Sequence, residues 1–101
     1  MSQQQLDSVI VGDVIARFRS EKGITQEVLS GLSDIGRTHL SAIERGTRKP
    51  TLETLYRISN ALDIPMSTIV IAIEAEIERR RSWHLSVRFA ASSPQGEPFY
   101  F

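Results

Sequence analysis

The sequence contains no cysteine, and this absence limits the chemistry that the chain can carry out. Without cysteine there is no disulfide framework, no thiolate nucleophile and no sulfur-ligated metal site. A long hydrophobic run is also missing, because Pro65, Ser67 and Thr68 interrupt the most apolar stretch, residues 64–73. That stretch is far too short to span a bilayer, and no signal-peptide pattern precedes it. We therefore expect a cytoplasmic protein with no membrane partner.

An excess of charge of either sign is lacking as well, since 12 basic and 12 acidic residues give a formal net charge of zero. A neutral total counts mildly against nucleic-acid binding, although contact with phosphates needs only local positive charge. Such a local excess exists between Ile35 and Pro50, where the only acid is Glu44. Its basic residues are Arg37, Arg45, Arg48 and Lys49.

Catalytic patterns are equally absent from the sequence. The two histidines lie far apart, the acids follow helix faces, and there is neither a glycine-rich phosphate loop nor a nucleophile elbow. We therefore expect no enzymatic activity, no catalytic residue, no metal site and no cofactor. With 101 residues, of which 41% are hydrophobic, the chain should form one domain with a modest core.

The sequence does contain helical spacing of apolar residues, interrupted by short turns, and this spacing predicts five helices and an all-α fold. The expected order is a frayed lead over residues 1–7, a helix-turn-helix domain over 8–81 and a C-terminal segment over 82–101. Thr25 and Thr51 are expected N-caps of the second and fourth helices, whereas Gly36 should cap the third only weakly. The run Arg79-Arg80-Arg81 is expected to end the fifth helix.

Residues 24–50 form the most informative segment, because their spacing predicts two short helices joined by a tight turn. Before the turn the expected buried face consists of Val28, Leu29 and Leu32, and after it of Leu40 and Ile43. The opposite side of the third helix carries no large apolar residue, and its outward stripe is expected to consist of Thr38, Ala42 and Arg45. Such a face fits a DNA major groove.

The chain from about Gly12 to Val70 resembles the Xre family, which includes the Cro and cI type phage repressors. The matching residues are Gly12, Arg19, Gly23–Glu27, Ser41–Gly46, Pro50–Thr51 and Ala61–Leu62. The chain departs from the family pattern at Asp34 and Asp63, where the family usually has glycine. We expect a left-handed backbone at both positions, which Asp tolerates better than most residues.

Arg37 and Thr38 would begin the recognition helix, where side chains reach base edges, and an arginine there suits two hydrogen bonds to guanine. The alternative is that both are ordinary solvated residues. Ala42, one turn further on, is expected to touch a thymine methyl group or a sugar edge. The resemblance implies base contact at the same three positions.

Phosphate contacts are expected on both sides of the recognition helix. By resemblance, Gln26 at the start of the second helix would hold a backbone phosphate, with help from Thr25. His39 could either bond a phosphate or pack into the turn. The full expected set is Thr25, Gln26, His39, Ser41, Arg45, Thr47, Arg48 and Lys49. By resemblance again, Glu44 pairs with Arg19 in a structural ion pair.

The C-terminal part of the sequence predicts a dimerisation surface. An apolar stripe containing Val70, Ile73 and Ile77 is longer than the core should need. From Trp83 the pattern alternates, which predicts a short strand that needs a partner. Its apolar residues are Leu85, Val87 and Phe89. The sequence does not decide whether residues 90–101 are a flexible tail, dock on a partner or are not native.

Two functions are consistent with these patterns. The first is a sequence-specific transcriptional regulator, chiefly a repressor, that binds a palindromic site in double-stranded DNA as a homodimer. The second is an antitoxin that also binds a toxin protein through its C-terminal segment. A toxin gene beside this one would favour the second function, and a methyltransferase gene would favour a restriction-modification controller.

Overall fold

The computed structural model describes residues 5–92, with side chains described through Ser82, and its elements are five α-helices. They are α1 (Ser8–Lys22), α2 (Gln26–Ser33), α3 (Arg37–Arg45), α4 (Leu52–Ala61) and α5 (Met66–Ser92). The expected all-α fold is confirmed, with α2 and α3 forming the helix-turn-helix. Within residues 5–92 no helix alone is long and apolar enough to cross a membrane. The helices over residues 52–61 and 66–82 are long and apolar enough only when they are counted together, and the angle between them is 109°.

Side-chain caps start three of the helices. The carboxylate of Asp7 accepts a hydrogen bond from the Val9 amide at 2.9 Å. The hydroxyl groups of Thr25 and Thr51 accept amide hydrogen bonds at the starts of α2 and α4, as expected. Gly36 offers no side chain to α3, so this helix depends on packing for its position.

Two aspartates carry the left-handed backbone that the sequence predicts. Asp34 has φ 58° at the end of α2, and Asp63 has φ 60° after α4. The turn at Asp34 is closed by the amide of Ile35, which donates to the Ser30 carbonyl at 3.1 Å. This compact turn fixes the angle at which α3 leaves α2.

The core is a single cluster of aliphatic side chains contributed by all five helices. Leu29 of α2 and Leu40 and Ile43 of α3 are fully buried, so the helix-turn-helix is anchored through its inner face. The prediction was wrong for Val28 and Leu32, which are 46% and 63% exposed. The other members of the cluster are Ile10, Val11, Val14, Ile15, Leu55, Ile58, Leu62, Ile69 and Ile73.

The C-terminal segment differs from the sequence prediction. No strand starts at Trp83, and no helix end lies at Arg79–Arg81, because α5 runs continuously from Met66 to Ser92. No proline or glycine occurs within this range, so each added residue extends the helix by one hydrogen bond. The predicted strand residues Leu85, Val87 and Phe89 are therefore on helical backbone. Residues 1–4 of the predicted lead and 93–101 of the predicted tail lie outside the described residues.

The predicted dimerisation stripe also needs correction. Ile73 is only 5% exposed and belongs to the core of its own chain, and Ile77 packs against the same cluster. Ile73 is therefore covered within one protomer and Ile77 is half-buried, because α5 packs against α1 and α4. The large apolar side chains that α5 exposes among the described residues are those of Val70 and Ile71, which are 37% and 63% exposed.

Candidate nucleic-acid interface

The recognition helix α3 is held by its apolar side and presents polar residues at its first turn. Leu40 and Ile43 have no exposed surface, whereas Arg37 and Thr38 are exposed. Because α3 has no N-terminal side-chain cap, the two buried residues and the preceding turn carry its orientation. The first turn is therefore accessible to a large partner.

Glycine at position 12 allows α1 to lie directly against the end of α3. A Cβ atom at this position would be 2.3 Å from the carbonyl oxygen of Ile43 and 2.7 Å from that of Glu44. Both oxygens belong to the backbone and cannot rotate away as a side chain could. The contact explains why glycine, although a weak helix former, is suited to the middle of α1.

A nearly buried ion pair joins the same two helices. Arg19 Nε donates to Glu44 Oε2 at 2.7 Å, and Nη2 donates to Oε1 at 2.9 Å, as the resemblance implied. The Glu44 side chain is only 5% exposed. Hydrogen bonding to Glu44 raises the pKa of Arg19, and the remaining guanidinium nitrogen donates to the Ile24 carbonyl at 2.8 Å. The pair therefore links α1, the start of the helix-turn-helix and α3.

Gln26 connects this ion pair to the exposed arginine of the recognition helix. Its Nε2 donates to Glu44 Oε1 at 2.9 Å, and its Oε1 accepts from Arg37 Nε at 3.3 Å. A carboxylate can only accept and a guanidinium can only donate, so these two neighbours fix which way the amide faces. Arg37 is thus oriented by a chain of hydrogen bonds that ends at a nearly buried carboxylate.

Ala42 does not lie on the outward stripe where the sequence predicted it. It is only 8% exposed, and the turn after α3 is bonded to its carbonyl oxygen. Thr47 makes this turn by donating from its amide and its hydroxyl to the Ala42 carbonyl, at 3.0 and 3.1 Å. The Thr47 hydroxyl proton, predicted to contact phosphate, is therefore already used within the protein.

The remaining predicted phosphate contacts are arranged around the exposed first turn and the end of α3. Arg45, Arg48 and Lys49 are exposed, and Arg45 donates to the hydroxyl of half-buried Ser41 at 2.6 Å. His39, predicted either to bond a phosphate or to pack into the turn, is half-buried. Thr25 is exposed beside Gln26 at the start of α2, but its hydroxyl caps that helix.

The sequence did not predict two features of this site. One is that the Gln26 side chain bridges Glu44 and Arg37, and only the tertiary structure brings these three residues together. The other lies behind the site, where Arg80 of α5 bonds both Glu76 and Asp13 of α1, at 2.7 and 3.1 Å. The spacing of Glu76 and Arg80 was a usable signal for the helical pair, but nothing in the sequence pointed to Asp13.

Two helices that are joined by a short turn pack on the core through one face each, and the second exposes its first turn beside basic residues. This arrangement defines a helix-turn-helix DNA-binding domain. The chain belongs to the helix-turn-helix family HTH_3, whose profile matches residues 15–69, more than half of the 101 residues. This membership confirms the resemblance to regulators of the Xre and Cro/cI type.

Individual relatives agree with the family assignment. The chain is 46% identical over 55 residues to the HTH-type transcriptional regulator y4dJ of Sinorhizobium fredii, covering 54% of this chain and 71% of that protein. It is 32% identical over 87 residues to the transcriptional regulator ClgR of Mycobacterium tuberculosis, covering 86% of this chain and 72% of that protein.

A solved structure shares the fold as well. It is the restriction-modification controller protein C.Esp1396I, determined as a tetramer in complex with its natural 35 base-pair operator. The match has a TM-score of 0.66 and 34% identity, and it covers 73% of this chain and 97% of the controller protein.

Proposed function

We propose that the protein is a sequence-specific transcriptional regulator that binds a palindromic operator as a homodimer and represses by occupying the promoter. The observation that carries this proposal is the placement of Arg37, exposed at the first turn of α3 and oriented through Gln26 and Glu44. An arginine held in advance loses less conformational entropy when it binds guanine. Its relatives, which are transcriptional regulators, support the same class of function.

Base recognition in this proposal is concentrated at the start of α3. Arg37 donates to the O6 and N7 atoms of a guanine, and Thr38 contacts a neighbouring base edge. Ala42, being 8% exposed, contributes at most a small apolar contact. Specificity therefore depends chiefly on the first turn of the helix.

Phosphate binding orients the domain on the duplex without choosing the sequence. The start of α2 at Thr25 and Gln26 faces one phosphate, favoured by the partial positive charge of a helix N-terminus. Arg45, Arg48 and Lys49, which are all exposed, clamp the backbone on the other side of the recognition helix. The two contacts together compensate for the neutral overall charge.

Homodimer formation places two recognition helices on successive turns of one DNA face, about 34 Å apart. A twofold-symmetric protein then reads an inverted repeat, because each protomer makes the same contacts with its own half-site. The protein acts in the cytoplasm, where such an operator is accessible.

Selection of binding sites from a random duplex library tests the proposal. The wild-type chain should select an inverted repeat with a strongly preferred guanine in each half-site. Arg37→Ala should weaken binding to that site by about 1 to 3 kcal/mol, or roughly 5- to 150-fold, and lose the guanine preference. If the wild-type chain selects no sequence, the proposed function is wrong.

Lys49→Ala is the matched control, because Lys49 is also basic and exposed but is assigned to phosphate. This variant should weaken binding to all sequences alike and lower the slope of log affinity against log salt by about 1. An altered base preference in Lys49→Ala, with none in Arg37→Ala, would reverse the two assignments.

A further inference from the structure

Arg57 of α4 bonds to the turn between α2 and α3. Its Nη1 donates to the carbonyl oxygen of Asp34 at 3.3 Å, across 23 residues of sequence. Its Nε donates to Glu53 Oε2 at 3.2 Å, one turn back on α4. The guanidinium therefore lies between its own helix and the turn that leads into the recognition helix.

The bond from Arg57 holds one side of a peptide group whose other side is held by α2. This peptide joins Asp34 to Ile35, and it carries the Asp34 carbonyl and the Ile35 amide. The amide donates to the Ser30 carbonyl at 3.1 Å, and the carbonyl accepts from Arg57. Rotation of the peptide plane would change the angle between α2 and α3, so the two bonds together oppose that change.

The start of α3 needs such support more than its end does. Gly36 gives α3 no side-chain cap, and Asp34 holds a left-handed backbone with φ 58°, which costs aspartate more than glycine. The end of α3 is fixed to α1 by the bonds between Arg19 and Glu44. Before the start of α3, the bond from Arg57 fixes the turn to α4, which itself packs on α2 and α5.

We propose that Arg57 is a positioning residue for DNA recognition, because it holds the peptide after Asp34 and so sets the angle at which α3 presents Arg37. Only Gly36 separates Ile35 from Arg37, so a change in the direction of this peptide moves Arg37 as well. A recognition helix that already has its bound angle loses less conformational entropy when it enters the groove. The proposal rests on the proposed function and adds a residue that touches no DNA.

The bond to the Asp34 carbonyl oxygen carries this effect, rather than the two carboxylates near Arg57. The Asp34 carboxylate is 96% exposed and 3.7 Å from Arg57 Nη1, so water screens this ion pair. The Glu53 carboxylate is also exposed and lies on α4 itself, so it cannot hold the turn. Each carboxylate can be removed while the carbonyl bond stays, and this gives the experiment its controls.

Fluorescence anisotropy of the full chain tests the proposal, with the operator that the wild type selects and with a scrambled duplex of the same composition. Arg57→Met keeps an apolar stem but removes every donor. It should raise the dissociation constant for the operator about fivefold and that for the scrambled duplex less than about twofold, because nonspecific binding depends on phosphates and not on the angle of α3. Arg57→Lys restores a charged donor and should recover most of the operator affinity.

Asp34→Asn and Glu53→Gln are the matched controls. Each removes one carboxylate beside Arg57 and leaves the carbonyl bond in place, so each should bind the operator within about twofold of the wild type. Hydrogen exchange of the Ile35 amide is a second readout, which needs no DNA. This exchange should be about tenfold faster in Arg57→Met and unchanged in both controls.

Arg57 is 45% exposed, so the variants should stay folded, which circular dichroism at the assay temperature checks. Equal losses on the two duplexes, an unchanged Ile35 exchange rate in Arg57→Met, or no recovery in Arg57→Lys would overturn the proposal. A slope of log affinity against log salt lowered by about 1 in Arg57→Met would overturn it too, because Arg57 would then bind phosphate itself. If the wild type selects no operator, the proposed function fails. If it selects one and Arg57→Met binds it equally well, only the role of Arg57 fails.

Discussion

Replacing Gly12 by Ala tests the tight contact between α1 and α3. The new methyl group would lie 2.3 Å from the Ile43 carbonyl oxygen and 2.7 Å from that of Glu44. An ordinary carbon–oxygen contact is about 3.4 Å or longer, so α1 has to move away from α3 by roughly 1 Å. That shift would loosen the packing of Val11 and Ile15, which are almost fully buried on the same helix.

Two opposing contributions determine how much Gly12→Ala changes the free energy of unfolding. Overpacking of a core contact typically costs about 1 to 3 kcal/mol, and here both obstructing atoms belong to the backbone. Alanine recovers up to about 1 kcal/mol of helix propensity in the unstrained case. Because backbone atoms cannot rotate away, we take the upper end of that cost, about 3 kcal/mol, and the net loss is then about 2 kcal/mol. A loss of this size lowers the melting temperature by roughly 8 to 16 °C in a domain of this size.

Gly31→Ala is the matched control, since Gly31 also lies within a helix but an added Cβ there meets no atom within 4 Å. This change should stabilise the protein by about 0.5 to 1 kcal/mol. Thermal unfolding followed by circular dichroism measures both variants. If Gly12→Ala melts at or above the wild-type temperature, the close approach of the two helices is wrong.

Three further predictions concern charges and backbone strain. Arg19→Met should lower the free energy of unfolding by about 3 kcal/mol, because it leaves the carboxylate of Glu44 without its partner. A double-mutant cycle with Glu44→Gln should be strongly non-additive, and strict additivity would contradict the pairing. Asp63→Gly should raise the free energy of unfolding by up to about 1 kcal/mol, because glycine adopts a left-handed backbone without strain. Asp63→Ala should lower it, and calorimetry that shows the opposite order would refute the strain. Hydrogen bonds from Arg79 and Arg80 lower the pKa of Glu76 from 4.5 to about 2, so its stabilisation of α5 is full above pH 4.5 and lost as pH falls through 2. NMR titration of its carboxyl carbon measures this, and a midpoint near 4.5 would exclude the pair.

Local chemistry in the sequence determined where most helices begin and which aliphatic residues form the centre of the core. Thr25 and Thr51 supply the oxygen that a helix N-terminus needs, and apolar residues at steps of three and four define an inner face. These signals act over a few residues and need no knowledge of the rest of the chain. The left-handed sites at Asp34 and Asp63, and the pairing of Arg19 with Glu44, followed from the family resemblance.

The predicted strand after Trp83 shows where local pattern is ambiguous. Alternation over a few residues is compatible with either a strand or a helix, and the sequence contains no proline or glycine between Met66 and Ser92 to stop α5. A strand also needs a neighbour to satisfy its backbone groups, whereas a helix satisfies them within itself. The continuing helix was therefore the more stable outcome.

Contacts between distant residues were decided only by the tertiary structure. The sequence places Gln26, Arg37 and Glu44 on separate turns, and the close packing of α1, α2 and α3 turns them into one hydrogen-bonded chain. Ala42 and Ile73 are buried as well, although periodicity alone had placed them on outer surfaces. Helical period gives the relative angle between side chains, but which angle faces the core depends on where neighbouring helices lie, and that is a property of the whole fold.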